Sequence, residues 1–399
     1  MRIAIYHNLP SGGAKRTLYD ATKRLRVRHQ IEVYTLTTAD ASYCDLRPLV
    51  EKHRVVAFSP LGLFSSPLGR LNQFQRWRDL WRLDRVSRRI AAEIDSGNYD
   101  VAFVEPCMWT QAPLVLRYLR TPAVYYCHEP PRAIYEAGRD GRTGGWRSAV
   151  DRLDPLIALY QSSARKADWQ ATRSATRLLV NSRHSQAEVA RIYGISPHIC
   201  YHGVDTDVFR PLGQAWKGEY VLSVGAVQPS KGFDFLIESL SKVDSRTRPA
   251  LRIIGSAVES GEVERLYTLA SALGVRLTIE AGVSGETLVR RYGEAMLFVY
   301  APHAEPFGLA PLEAMACGTP VVAVAEGGVK ETVLDGSTGL LTRRDPSEFA
   351  QRVAQLLSDD TARDRMSKAS VEYVREKWRW DSAVQRVESH LRAAAEHGD

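Results

Sequence analysis

Short apolar runs, rich in Val, Ile and Tyr, alternate along this chain with longer amphipathic segments. The first half carries RIAIYH (2–7), IEVYTLT (31–37), RVVAFS (54–59), DVAFVEP (100–106), AVYYCHE (123–129) and RLLVNS (177–182). The second half carries YVLSVGAV (220–227), ALRIIGS (250–256), RLTIEAGV (276–283), LFVYAP (297–302), PVVAVA (320–325) and GLLT (339–342). Runs that are apolar on both faces suit parallel strands covered by helices on each side. Strand–helix alternation repeated twice predicts an α/β protein of two doubly wound domains. The turn-rich stretch YHGVDTDVFRPLGQAWKGEY (201–220) closes one series before the next opens, so the domains are expected at 1–205 and 206–380. Residues 381–399 read as a further helix, after a break at Trp378–Trp380.

Bulk properties sharpen this picture. A length of 399 residues suits two domains of roughly 150 to 200 residues each. Hydrophobic content of 44% and charged content of 25% are ordinary for a soluble globular protein. No run of about 18 apolar residues is present to span a bilayer. MRIAIYHNLPSGG turns polar too soon for a signal peptide and reads as a first strand and its turn. The five cysteines, at 44, 107, 127, 200 and 317, are scattered without CxxC or CxxH spacing. That argues against a zinc site or disulfide framework and fits a reducing cytoplasm. The net charge of +7 favours an anionic partner: a nucleotide, a phospholipid surface or a nucleic acid.

The chemistry concentrates in EPFGLAPLEAMACGTP (305–320). LFVYAPHAE reads as a strand running into a loop at its carboxyl end, and LAPLEAMACG as a short helix. Pro311 fits the first turn, and Gly318 with Pro320 fits the stop. Ligands of open α/β sheets bind at this carboxyl edge, and the helix start offers N–H groups and a positive dipole end to a diphosphate. Gly308 lets the backbone come close. Glu305 in the loop suits sugar hydroxyls, and Glu313 inside the helix suits a ribose diol, because a carboxylate offers two acceptor oxygens. VGAVQPSKG places Lys231 at the start of the next helix, where it can neutralise a phosphate. NLPSGGAKRTL places Gly12 and Gly13 after the first strand, where a loop can approach a ligand.

The glutamate pair, the GG of NLPSGG, YYCHEPPR, LLVNSRHSQAEV, YHGVDTDVF, SKGFDFLIESL and EGGVKETVLDGSTGLL resemble, in order, the retaining glycosyltransferases of family 4. WRWDSAV resembles the family's closing helix, so the likeness covers nearly the whole chain. It implies the GT-B fold: two Rossmann-like domains facing a central cleft, with residues 381–399 crossing back to the first. The donor, a nucleotide diphosphate sugar, would sit mainly on the second domain and the acceptor on the first. Carried over by position, Glu305 would contact the transferred sugar, and the backbone of Phe307, Gly308 and Leu309 would line sugar and phosphate. Glu313 would bind the ribose, Lys231 the diphosphate with help from Gly13, and the backbone near Val283 the base. His128 would lie close to the reaction centre. The resemblance also implies transfer with retention, by front-face attack, and no obligatory metal or other cofactor. The family often has an Arg where this chain has Ala226, which leaves more of the diphosphate to Lys231, the helix dipole or another Arg. YYCHEPPR favours GDP-mannose as donor, with UDP-glucose and UDP-N-acetylglucosamine as alternatives. The acceptor is expected to be a glycan or a lipid-linked sugar, at the cytoplasmic face of a membrane.

Plainer readings stand beside these. Glu305 can be an exposed loop acid, Glu313 a helix-dipole carboxylate, Lys231 a solvated lysine, Gly12 and Gly13 a plain turn, and His128 a structural hydrogen-bonder. The DTD at 205–207 reads as an ordinary turn rather than a metal site. GRLNQFQRWRDLWRLDRVSRRIAAEI (69–94) sets Phe74, Trp77, Trp81, Val86, Ile90 and Ile94 at roughly helical spacing among arginines 70, 76, 78, 82, 85, 88 and 89. It fits a basic aromatic helix on an anionic membrane, or equally a helix packed on its sheet with a solvated arginine face. No recognition motif for nucleic acid accompanies the charge. A sugar-nucleotide epimerase, a phosphorylase, or a non-catalytic binder of nucleotide or glycan are the functional alternatives.

Overall fold

The computed structural model describes residues 1–65, 71–135, 155–213, 218–255 and 259–396. Gly69 and Arg70 of the basic stretch, residues 214–217 of the boundary stretch, Ser256 and residues 397–399 lie outside the described residues. Up to Ile199 the chain forms β1 (Arg2–Asn8), α1 (Gly13–Leu25), β2 (Gln30–Leu36), β3 (Lys52–Val56), α2 (Asn72–Asp95), β4 (Val101–Cys107) and β5 (Ala123–Cys127). It continues with α3 (Arg132–Tyr135), α4 (Pro155–Arg173), β6 (Arg177–Val180), α5 (Arg183–Tyr193) and β7 (His198–Ile199). From Tyr220 it forms β8 (Tyr220–Val224), α6 (Phe233–Ser241), β9 (Ala250–Gly255), α7 (Glu262–Ala272), β10 (Leu277–Ala281), α8 (Gly285–Glu294) and β11 (Leu297–Tyr300). Then follow α9 (Leu309–Ala316), β12 (Val321–Val324), α10 (Val329–Thr332), β13 (Gly339–Thr342), α11 (Pro346–Leu357), α12 (Asp360–Lys377) and α13 (Trp380–Ala395).

Two compact units result. The first holds Met1–Asn181, Ser185–Cys200 and the chain from Val384 onward; the second holds Ser182–His184 and Tyr201–Ala383. The first sheet is parallel throughout, in the order β3-β2-β1-β4-β5-β6-β7, and the second likewise, in the order β10-β9-β8-β11-β12-β13. In each, the order reverses beside the first strand: between β1 and β4, and between β8 and β11. Those reversals are the topological switch points where open α/β sheets hold ligands.

The two-residue alternation of a strand decides which helix covers which face. In β1, Ala4 and Tyr6 pack with Leu83, Ile90 and Ile94 of α2. Ile3 and Ile5 turn the other way, onto Leu18 and Leu25 of α1 and Val384, Val387 and Leu391 of α13. Each such buried Val, Leu or Ile contributes about 1.5–3 kcal/mol relative to exposure. In the second unit, Val221 of β8 faces Phe233, Leu236 and Leu240 of α6, while Leu222 faces Leu312 and Met315 of α9. One expectation needs correction. The residues of α2 taken as a single stripe fall on two faces: Ile90 and Ile94 are buried, whereas Phe74, Trp77 and Trp81 are exposed. At about 100° per residue the spacing drifts by nearly half a turn between Trp81 and Ile90, so one stripe cannot contain both.

Candidate functional site

Three helices that follow strands next to the switch points share one kind of start, which Gly261 also gives to α7. Gly12, Gly232 and Gly308 stand at the N-caps of α1, α6 and α9, all at positive φ and without a side-chain cap. By contrast, Ser284, Asp345 and Asp359 cap α8, α11 and α12 through their own oxygens. A helix that lacks a side-chain cap leaves its first N–H groups to water or a ligand, and its dipole favours an anion there.

In the second unit, the loop after β11 is the centre of this arrangement. Lys231 is not in the following helix, as its sequence position suggested. It sits in a 3₁₀ turn, Pro229–Lys231, ahead of Gly232. From there its Nζ reaches Glu305 Oε2 at 2.6 Å, with both side chains about three-quarters covered. The turn is held against the β11 loop by His303 N donating to Ser230 O at 2.9 Å. Arg344 pins the same loop: it donates to Ala301 O at 3.0 Å and Pro302 O at 2.9 Å, and grips Glu326 with two bonds of 2.7 Å. Those bonds to Arg344 hold the Glu326 carboxyl below the usual range. With its donors so engaged, Arg344 serves as a tether for this loop. Gly327 lies against Glu305 itself; a Cβ there would meet Glu305 O at 2.1 Å, so this clasp has no room for a side chain.

Past Glu305, the side chain of Phe307 is an anchor, buried among Tyr201, His202 and Trp378. That leaves its backbone, with Gly308 and Leu309, to form the start of α9. Glu313 sits on the inner face of this helix and is 3% exposed. Tyr292 of α8 donates its hydroxyl to Glu313 Oε2 at 2.9 Å, which orients the carboxylate. Val283, in the loop before α8, packs into the same apolar cluster as Tyr292. Burial drives the Tyr300 hydroxyl's pKa well up, and the charges of Glu305 and Glu313 push it further. Thus Lys231, Glu305, Phe307, Gly308, Leu309, Glu313 and Val283 all belong to the carboxyl edge of one sheet.

The first unit carries His128, Gly12 and Gly13. His128 directly follows β5, and its Nε2 lies 2.8 Å from Glu105 Oε2 of β4. The Glu105 side chain is 3% exposed, and burial raises its pKa although His128 pulls the other way. A carboxylate at one ring nitrogen fixes the tautomer and orientation of an imidazole. Ser185 Oγ also donates to His128 O at 3.2 Å. Gly12 and Gly13 begin α1, and Lys15, in its first turn, is buried against His7 of β1 with Nζ–Nε2 at 3.2 Å. Burial pushes the Lys15 amine down to about 8 and the His7 imidazole well below its usual value.

Glu105, Lys15, His7, Tyr292 and Arg344 are the residues that sequence reasoning missed. Glu105 and His7 did carry a signal: each is a lone polar side chain at the carboxyl end of an otherwise apolar run. Asp205 of the DTD stretch closes its own turn, accepting from Val208 N at 3.1 Å and Phe209 N at 2.7 Å through its carbonyl. Among the described residues no group of three His, Cys, Asp or Glu side chains is arranged to hold a metal ion. No helix among them is long and apolar enough to cross a membrane.

Comparison with known proteins gives a consistent result. Residues 205–372 match the family described as Glycosyl transferases group 1, and residues 11–208 match Glycosyltransferase Family 4. The D-inositol 3-phosphate glycosyltransferase of Acidothermus cellulolyticus is 34% identical over 342 residues, 76% of this chain and 75% of that protein. The protein of the same name from Thermomonospora curvata is 27% identical over 94% of this chain and 89% of its own length. Among solved structures, Anabaena HepE in complex with UDP and glucose superposes with a TM-score of 0.74 at 20% identity, covering 98% of this chain and all of that one.

Proposed function

This chain belongs to the group 1 glycosyltransferases and has the GT-B fold, and from that premise we propose that it transfers a hexose from a nucleotide diphosphate sugar to a hydroxyl, with retention. The observation that carries this reading is the set of groups at the β8/β11 switch point: a cation, two carboxylates and a helix start without a side-chain cap, all on one sheet edge. Each matches one part of such a donor. Lys231 and the N–H groups of α9 take the diphosphate, Glu305 takes sugar hydroxyls, and Glu313 takes the ribose diol. The base lies along the backbone near Val283.

In the transfer, the bond from the anomeric carbon to the β-phosphate oxygen breaks, and the bond to the acceptor oxygen forms on the same face. The acceptor proton passes to the departing diphosphate. No nucleophile from the chain is required, and the protein contributes charge stabilisation and alignment. Removing one such charge contact costs about 3 kcal/mol of barrier. To the first unit we assign His128, oriented by Glu105, as the residue for the reacting sugar, and Gly12 and Gly13 as a loop start open to a ligand. GDP-mannose is the first donor to test, on the strength of YYCHEPPR, with UDP-sugars second. The relatives' name, D-inositol 3-phosphate glycosyltransferase, supports a polyol acceptor that bears negative charge.

Calorimetry with GDP, UDP and ADP, then with the matching sugar nucleotides, tests the reading. One nucleotide should bind, and its sugar form should bind with a different signature. Glu313→Gln should weaken every ligand carrying that nucleotide about tenfold, the loss of one charge-assisted bond. Glu305→Gln should bind the bare nucleotide at least as tightly as the wild type and bind the sugar nucleotide more weakly. Equal affinities for all ligands in both variants would overturn the roles, and no nucleotide binding at all would leave the phosphorylase or the non-catalytic binder.

A further inference from the structure

The exposed face of α2 is unaccounted for by sugar transfer. Phe74, Trp77, Arg78, Trp81, Arg85 and Arg88 recur every three or four residues, so they lie along one face of the helix, opposite buried Leu83, Ile90 and Ile94. The three aromatic side chains are 52%, 42% and 57% exposed, which is high for residues of this size. Phe74 and Trp77 stack with centroids 6.2 Å apart, and the Arg85 guanidinium lies 4.0 Å from the centre of the Trp81 ring. The ridge continues into the preceding loop. Phe64 N donates to Asn72 Oδ1 at 2.7 Å and Asn72 Nδ2 donates to Phe64 O at 3.0 Å, which fixes exposed Leu63 and Phe64 beside the start of α2.

The charge of this face has one sign. The acids of its middle stretch are mostly turned to other partners: Asp79 accepts from Leu61 N at 2.9 Å and Arg82 at 2.8 Å, and Asp84 accepts from the Tyr118 hydroxyl at 2.6 Å and Arg117 at 2.8 Å, with Arg88 of the ridge farther off at 3.6 Å. Arg78 and Arg85 have no carboxylate partner among the described residues. We propose that this ridge is a docking surface for an anionic lipid bilayer, lying in the interface with its aromatic rings among the acyl-chain boundary and its arginines at the headgroups. Indole and phenyl rings interleaved with guanidinium groups suit that boundary, which is apolar on one side and anionic on the other. From Phe74 to Arg88 the ridge is ~21 Å long, enough to lie along a membrane and too short and too charged to cross it. A protein partner would have to supply both an apolar groove and a row of acids; a bilayer with anionic headgroups supplies both everywhere.

Co-sedimentation of the full chain with vesicles tests this without any donor or acceptor, so its failure leaves the transferase reading intact. The wild type should bind phosphatidylcholine vesicles containing phosphatidylglycerol at least tenfold more tightly than phosphatidylcholine alone, and lose that preference in ~0.5 M salt. Its tryptophan emission should shift to the blue on binding. The double substitution Trp77→Ala with Trp81→Ala should weaken partition at least tenfold with an unchanged circular dichroism spectrum, and Arg78→Gln with Arg85→Gln should remove the lipid-charge preference. Equal binding to both vesicles by the wild type, or wild-type partition by the aromatic variant, overturns the proposal. Heparin binding that equals vesicle binding and ignores the aromatic substitutions would mark a general polyanion surface and overturn it too.

Discussion

Gly232→Ala tests how the lysine of the switch point is held. Gly232 has φ of 67°, and a Cβ at that position would stand 2.1 Å from Ala301 O and 3.4 Å from Arg344 Nη1. A residue with a Cβ loses about 1 kcal/mol in this left-handed region. The clash is with backbone, so the α6 start and the β11 loop must part, at about 1–3 kcal/mol for a shift in packed structure. The displaced carbonyl is the one Arg344 holds at 3.0 Å, and loosening that charged bond adds about 1 kcal/mol. Reduced freedom of the unfolded chain returns about 0.4–1 kcal/mol. The net loss is about 3 kcal/mol, or roughly 100-fold in a local opening equilibrium. Hydrogen exchange read by mass spectrometry on peptides covering β8, α6 and β11 measures it, with peptides of the first unit as internal control. Protection should fall about 100-fold in those peptides alone, and nucleotide affinity should fall with it, because Lys231 is the preceding residue. A change below about fivefold would refute the account of this contact.

Two other substitutions probe buried acids. Glu105→Gln keeps an acceptor for His128 but removes the charge; turnover should drop about tenfold while nucleotide affinity, measured by calorimetry, stays at the wild-type value. A fall in affinity instead would refute a role confined to His128. Asp168 is fully buried, accepts from the Tyr135 and Tyr193 hydroxyls at 2.9 and 2.7 Å, and is pushed up to about 6 by burial. A raised carboxyl binds its proton more tightly in the folded state, so its contribution is most favourable below about pH 4 and is lost as pH rises to about 6, by ~3 kcal/mol in all. In thermal melts, Asp168→Asn should remove that part of the stability slope between pH 4 and 6; an unchanged slope would refute it.

The sheets were legible because parallel strands are apolar on both faces. The run PVVAVA became Val321–Val324 and the run GLLT became Gly339–Thr342. β7, with only His198 and Ile199, escaped because two residues at a sheet edge leave no periodic signal. The helix at 309–316 was legible from Pro311 and Gly318, which mark its ends chemically. What the sequence hid was pairing. Glu105 is on β4 and His128 directly follows the neighbouring β5, and Lys231 and Glu305 are 74 positions apart, so their contacts depend on register and loop course. The α2 faces were misread for a simpler reason: a list of aromatic and aliphatic residues at approximate spacing ignores the drift of 3.6 against whole numbers.

If Lys231 takes the diphosphate and Glu305 the sugar, as proposed, the ion pair between them bears on how a finished reaction lets go of its product. A diphosphate that captures the ammonium strips Glu305 of its counter-charge. With a sugar attached, hydroxyl donors take the vacated place; with the sugar gone, the carboxylate is left facing a second anion. Reforming the resident pair then competes with the spent nucleotide for the lysine. On those roles, an internal competitor of this kind, 2.6 Å from the lysine, would make the loaded donor the better ligand and would speed the departure of the empty one.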